Sequence, residues 1–363
     1  MNAAASDGGV DAEAARYARL APGIPLIESP FFERFANAYF PEPDILDIAR
    51  RLNQDGYAVI RFPDPDFDRV AADIRTALHP RFDWRRWRET GWASGDGMRE
   101  ADCWTFNANV KRIACNEIVQ SLLSRLYGRP MRPFQTLNFP VSTQQYYHSD
   151  AVHFSTVPQR FMCGVWVALE DVAVDAGPLV YFPGSHKWPI VDNETIGLCV
   201  AGRNAPPNQT IYHDYWNALV AEHGVRPSHF TPKKGEALIW AANLLHGGGR
   251  QRNPEATRWS QVTHYYGEDC LYLTPMWSDI ATGNIYFRRM IDITTGRELE
   301  NRYCGRPLAD VLPGATHHRA THLSPSAIGA LSGDLRQWMK RALIRTGLIG
   351  VARAARPFTE RFR

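Results

Sequence analysis

No stretch of this 363-residue chain stays apolar long enough to cross a bilayer. Its opening residues, MNAAASDGGVDAEAARYARL, lack the basic-then-apolar pattern of a secretory signal. A cytoplasmic protein is the expectation. The six cysteines (Cys103, Cys115, Cys163, Cys199, Cys270 and Cys304) include no CxxC pair, so they read as reduced core thiols, not as a zinc knuckle or disulfide framework. Neither sign of charge dominates, with 41 Lys+Arg against 38 Asp+Glu. With 44% of residues apolar and 22% charged, the composition excludes a mainly disordered, collagen-like or highly charged tail protein. Internal repeats and low-complexity tracts are also missing.

What the chain has in plenty is aromatic and turn-forming residues: 11 Trp, 14 Tyr, 17 Phe and 25 Pro. These favour strands and ordered loops over a helical bundle. Helical spacing of apolar residues marks PDILDIARRLNQ, DPDFDRVAADIRTAL and NEIVQSLLSRLYG, the last stopped by Gly128. DGYAVIRF reads as a turn into a strand, and residues 80 to 110 as a long ordered loop with no clean period. From MRPFQTLNFPV onward the texture changes to short runs rich in β-branched and aromatic residues, among them FMCGVWVALEDV, GPLVYFPGS, EALIWAANLLHGG and RWSQVTHYYG. This predicts a β-sandwich or barrel of short strands with helices packed outside, reaching about Tyr266 and followed by a mixed segment to about His322.

Candidate chemistry sits in YYHSDAVHF. On a strand, residues two apart share a face, so His148 and Asp150 can converge on one cation. The best third donor is His246 in LIWAANLLHGGG, followed by three glycines that let the backbone pass close to a bound group. Two imidazoles and one carboxylate leave coordination positions open, the arrangement by which non-haem Fe(II) sites take up a co-substrate and dioxygen together. An isolated HxD motif is common by chance, and its weight comes from the segments around it.

Those segments follow in order: HSD, then GVWVALEDVAVDAGPLVYFPGSHK, KKGEALIWAANLLHGGG and NPEATRWSQVTHYY. Over roughly residues 42 to 266 the run resembles the phytanoyl-CoA dioxygenase family of Fe(II)- and 2-oxoglutarate-dependent oxygenases. The resemblance implies an α+β, mainly β fold: a double-stranded β-helix (jelly-roll, cupin-like) core with flanking helices. It implies Fe(II), 2-oxoglutarate and O2 as cofactor and cosubstrates, with His148, Asp150 and His246 as iron ligands. Arg258 would then pair with the far carboxylate of 2-oxoglutarate, as a guanidinium forks onto a carboxylate and keeps its charge. Arg250 and Arg252 compete for that role but sit in a Gly/Asn/Pro turn, whereas Arg258 precedes an apolar strand bearing Trp259 and Val262. Trp166 lies where the family places a Trp beside the cosubstrate, though a core aromatic is the equal alternative, and Gln135 is a weaker candidate for the same contact. His186 of PGSHK reads as structural, with Ser185 tying down a Pro183-Gly184 turn. His153 and His264 stand as supporting groups or plain core residues. One departure is Gly248, where some family members carry a hydroxyl residue that helps hold the cosubstrate.

The implied function is hydroxylation of an unactivated C–H bond of a small-molecule or lipid-like substrate, coupled to conversion of 2-oxoglutarate into succinate and CO2. A catalytically silent binding protein on the same fold, or a cupin-type metal dioxygenase without 2-oxoglutarate, are the alternatives. Three regions are expected: a flexible arm over 1–25, the oxygenase domain over 26–322, and a basic amphipathic helix over 323–363. From Asp334 onward eight basic residues face Asp334 and Glu360, a surplus of six in a chain of net charge +3. That helix suits an anionic membrane surface, an acidic partner or simple capping of the barrel. The remaining chain is slightly acidic, which argues against nucleic acid as a partner. Arg85, Arg86, Arg88 and Arg99 are candidates to hold an anionic group beside a pocket walled by residues 80 to 105 and the segment after Tyr266. The substrate's identity and the oligomeric state are not legible.

Overall fold

A computed structural model describes residues 12–89, 98–199, 209–279 and 282–312. The segment expected to form the basic C-terminal helix lies outside them. In chain order come α1 (Ala12–Arg19), α2 (Phe32–Tyr39), α3 (Pro43–Asp55), β1 (Tyr57–Arg61), α4 (Phe67–Leu78), α5 (Trp84–Glu89), β2 (Glu100–Ala101), α6 (Ala108–Ala114) and α7 (Glu117–Tyr127). Then follow β3 (Met131–Phe139), β4 (Ser155–Val157), β5 (Met162–Ala168), β6 (Leu179–Tyr181), α8 (Gln209–His223), β7 (Ser228–Phe230), β8 (Glu236–Ala241), β9 (His246–Gly248), β10 (Ser260–Gly267) and β11 (Leu271–Leu273). Short ladders complete the described chain.

Local chemistry sets the helix ends. Asn107 and Asn116 accept hydrogen bonds from the first free N–H groups of α6 and α7. Gly128 closes α7, and Gly56 closes α3 in the left-handed region at φ 80°. Gly56 is required twice over, because a Cβ there would stand 2.4 Å from the His186 ring.

Two antiparallel sheets face each other. The larger has the order β1-β8-β5-β10-β3-β2 and the smaller β7-β6-β9. Phe139, Trp166, Leu238 and Val262 from the larger sheet meet Leu179, Tyr181 and Phe230 from the smaller in one buried cluster. Helices cover the other face of the larger sheet, where Val165, Val167, Ala237 and Ile239 pack with Leu52, Val70, Ile74 and Leu123. The architecture is thus the jelly roll with flanking helices that the resemblance implies. Burial of β5 on both faces explains why alternation along MCGVWVA is muted.

Three expectations are corrected. Residues 80 to 110 are not one long loop: they hold α5, anchored by buried Trp87, then β2, a 3-10 turn at Cys103–Thr105 and the start of α6, each too short to show a period. Residues 12 to 25, placed in a flexible arm, contain α1, whose Ala14 is buried. Of the six cysteines, Cys199 and Cys304 are exposed and are not core thiols, while Cys103, Cys163 and Cys270 are buried and none is in a disulfide.

Candidate metal centre

His148 and His246 stand opposite each other on neighbouring antiparallel segments. The two residues exchange both backbone hydrogen bonds, at 2.8 and 3.0 Å. Each Nδ1 is 2.9 Å from the carbonyl two residues earlier, Tyr146 O and Leu244 O respectively. A carbonyl only accepts, so each Nδ1 carries the hydrogen and each Nε2 presents a lone pair. Burial pushes the His246 imidazole down to about 4, so it is neutral at pH 7.

Asp150 opens a 3-10 turn beside them. Ser149 accepts from Ala151 N and donates to Asn243 Oδ1 at 2.8 Å, while Asn243 Nδ2 holds His186 O and Trp188 O. Ser185 Oγ accepts from Leu245 N and donates to Phe182 O. The connection from β8 to β9 is therefore pinned on both sides, and the structural reading of Ser185 and His186 agrees with this geometry. Trp240 Nε1 donates to Asp150 Oδ2 at 2.8 Å. Oδ1 lies 3.6 Å from His148 Nε2, and Oδ2 lies 3.9 Å from His246 Nε2 and 3.6 Å from His264 Nε2. Burial alone would raise the Asp150 carboxyl, but the charges and hydrogen bonds of His246, His148 and His264 outweigh it and hold the group well below its usual range.

One ligand atom from each of His148, Asp150 and His246 lies within 4.8 Å of the others, and all three residues are buried. Two imidazole lone pairs and an ionised carboxylate converging on one point are the donor set a divalent transition metal takes. The residues fit iron.

The support is a single row across the larger sheet. Gln135, His264, Gly164, Trp240 and Tyr57 stand in register on β3, β10, β5, β8 and β1. Gln135 Oε1 is 3.0 Å from His264 Nδ1 and so orients that ring. Between His264 and Trp240 stands Gly164, where a Cβ would come within 2.2 Å of the Trp240 ring. The missing side chain is what lets the indole lie flat enough to reach Asp150.

Arg258 is buried, donates Nη1 to Gly177 O at 3.1 Å, and holds its guanidinium carbon 5.7 Å from the Trp166 ring centroid. Its Nε has no partner, and no carboxylate pairs with it among the described residues. Burial lowers its pKa to about 10, so it stays charged at neutral pH. Ser260, two residues on and sharing the face of β10 that carries Val262, also has a buried hydroxyl without a partner. A buried cation without a counter-ion and a buried hydroxyl without a partner fit the far carboxylate of 2-oxoglutarate. Arg250 and Arg252 are exposed, as are Arg85, Arg86, Arg88 and Arg99. The close approach of Gly247, Gly248 and Gly249 is to backbone: added Cβ atoms would lie 2.6–2.9 Å from Gln145 O, Gln144 N and Pro178 O. His153 is half-buried, and its pKa is pushed down to about 4 by desolvation first and then the charge of His148, against an upward pull from Asp150.

Sequence reasoning passed over Trp240 and left His264 undecided. For Trp240 no signal existed, since a Trp in an apolar strand reads as core. For His264 there was one: 258, 260, 262 and 264 share a strand face, so His264 lies on the side that carries Arg258.

Fold and site together define a jelly-roll protein with a two-histidine, one-carboxylate set between its sheets. The family model for phytanoyl-CoA dioxygenase matches residues 52–259, more than half of the chain. The chain belongs to the phytanoyl-CoA dioxygenase family. Peroxisomal phytanoyl-CoA dioxygenase of Rattus norvegicus is 27% identical over 138 residues, which is 35% of this chain and 35% of that protein. The chain therefore matches about a third of the length of the curated relatives. Among solved structures, the non-heme alpha ketoglutarate dependent epimerase SnoN from nogalamycin biosynthesis is 21% identical with TM-score 0.47, covering 63% of this chain and 83% of its own. EctD from S. alaskensis, with 2-oxoglutarate and 5-hydroxyectoine, is 20% identical with TM-score 0.44 over 60% and 74%.

Proposed function

We propose that this chain is an Fe(II)- and 2-oxoglutarate-dependent dioxygenase that hydroxylates a C–H bond of a small-molecule or lipid-like substrate. In the overall reaction, substrate, 2-oxoglutarate and O2 become hydroxylated substrate, succinate and CO2. The observation that carries the reading is the pairing of a preformed His148–Asp150–His246 set with a second, separate cation, Arg258, that lacks a counter-ion. A cupin-type site without 2-oxoglutarate would leave the desolvation of that guanidinium unexplained.

Iron held there supplies the dioxygen and electron-transfer chemistry that no side chain can. The protein's own share is positional. His148 and His246 hold their Nε2 lone pairs inward through their Nδ1 hydrogen bonds. Trp240 anchors Asp150 Oδ2 and holds the carboxyl group beside the two imidazoles. Arg258, with Ser260 beside it, orients the cosubstrate from its far carboxylate, and Trp166 and Phe230 keep that end dry.

The test is anaerobic titration of Fe(II) and 2-oxoglutarate, read as the visible charge-transfer band, followed by a succinate-release screen with mass spectrometry for an added oxygen atom. Asp150→Ala is expected to lose the band and succinate formation. Arg258→Met is expected to keep iron but bind 2-oxoglutarate roughly 10- to 100-fold more weakly, the value of a charge-assisted hydrogen-bond pair. Full turnover by Asp150→Ala would refute the assignment.

A further inference from the structure

A second guanidinium without a counter-ion lies beside the triad, on an aromatic wall. Phe134 stacks on Tyr266 with ring centroids 4.1 Å apart, and Phe154 lies 5.5 Å from Phe134 and 5.2 Å from the His264 ring. The Arg288 guanidinium carbon sits 4.7 Å from the Phe154 centroid, one ring away from His264. Its Nη1 donates to His153 O at 3.3 Å and Thr274 Oγ1 at 2.8 Å, and the His153 ring is 6.1 Å from that of His148. Every hydrogen-bond partner of Arg288 among the described residues is neutral. Its chain neighbour Arg289, by contrast, forms a forked pair with Glu298. The Arg288 Nε lies 3.3 Å from Met290 Sδ, and the residue is half-buried, so the guanidinium is not sealed off from solvent.

An independent observation comes from Tyr266. Its hydroxyl is fully buried and has no hydrogen-bond partner. Leaving a buried hydroxyl unpaired is costly, so such a group signals an absent acceptor. The Tyr266 ring lies against Phe134, whose ring is in turn stacked 6.0 Å from that of His264, so the tyrosine belongs to the same row of rings as His264. Arg99, exposed, contributes positive charge to the same neighbourhood through His153.

We propose that Arg288, with the Tyr266 hydroxyl, receives an oxyanion of the substrate (carboxylate, phosphate or sulfate), so that the substrate class is an anionic group carried on an apolar body that lies against Phe134 and Phe154. The proposal rests on the oxygenase reading and deepens it: Arg258 takes the cosubstrate between the sheets, and Arg288 takes the substrate on the opposite wall. A charge fixed at one end of an apolar molecule sets which C–H bond stands over the triad.

The experiment uses the full chain loaded anaerobically with Fe(II) and 2-oxoglutarate, and the probes are octanoate, octyl phosphate, octyl sulfate, octanol and octylamine. Binding is read as tryptophan fluorescence and as a shift of the charge-transfer band. Wild type is expected to bind at least one anion tenfold or more tightly than octanol, and the preferred head group distinguishes carboxylate, phosphate and sulfate. Arg288→Met is expected to erase that preference while the affinity for 2-oxoglutarate holds; Arg288→Lys retains part of it. Tyr266→Phe, which keeps the ring stack, weakens the anion severalfold. Equal binding of anions and octanol by wild type overturns the proposal, as does a preference that survives in Arg288→Met. Weakening of 2-oxoglutarate by Arg288→Met to the same degree also overturns it, by assigning Arg288 to the cosubstrate. Failure of wild type to bind 2-oxoglutarate at all is a different result and sinks the oxygenase reading itself.

Discussion

Trp240 stands where an ordinary core aromatic would, yet its indole N–H is spent on Asp150 Oδ2 at 2.8 Å. That bond anchors one carboxylate oxygen and holds the carboxyl group beside the two imidazoles. Replacing it with Phe keeps a ring over Gly164 but removes the donor. Trp240→Phe is expected to fold normally and bind Fe(II) roughly 10- to 100-fold more weakly, the usual cost of losing a group that orients a ligand. Ferrous titration under argon measures this, and unchanged affinity would count against the role. At this scale the sequence is unevenly legible. His148 and Asp150 stand out because of their HxD spacing, although the one-strand-face premise fails, since Asp150 opens a 3-10 turn; His246 stands out because an apolar strand runs into three glycines. Trp240 and Ser260 do not, because their function depends on a neighbour brought by a different strand.

At the scale of elements, the row Gln135–His264–Gly164–Trp240–Tyr57 shows how register turns five strands into one support. Gly164 is its narrowest point. Gly164→Ala places a methyl 2.2 Å from the Trp240 ring carbons. Overpacking of this kind costs roughly 1–3 kcal/mol of stability. The expected outcome is a lower urea midpoint together with weaker Fe(II) binding, because the indole must tilt away from Asp150. Weakened stability with intact iron affinity would separate the two effects and refute the link. Helices with a strong apolar stripe and a glycine stop, such as α3 and α7, are readable from sequence alone. Helix α8 is harder to read: Tyr215, Leu219 and Val220 pack beside buried Tyr212 and Trp216, but exposed Ile211 adds an apolar residue outside that side and blurs the stripe. Helix α5, six residues long, is shorter than two turns and cannot show a period.

For the whole molecule, acid is the informative stress. His153, His186 and His246 each take a proton only near pH 4 in the folded state, chiefly through desolvation. In the unfolded chain they do so near pH 6.5. The unfolded state therefore binds more protons between these values, and stability present at pH 7 is lost as pH falls through the window. Each imidazole accounts for roughly 2 kcal/mol at pH 5. The metal-free protein should show a steep fall in urea midpoint from pH 7 to pH 5, and a flat profile would contradict the buried-neutral assignment. At this scale the β-rich architecture is legible from the density of short aromatic runs and turns. The pairing of strands is not, because it rests on contacts between residues a hundred or more positions apart, as with Val262 and Leu137. The reciprocal backbone pairing of His148 with His246 carries a further consequence. Two of the three donors are spaced by an isolated backbone bridge, so main-chain geometry and not side-chain packing sets the distance between them. Changes to side chains elsewhere in the walls leave that spacing untouched.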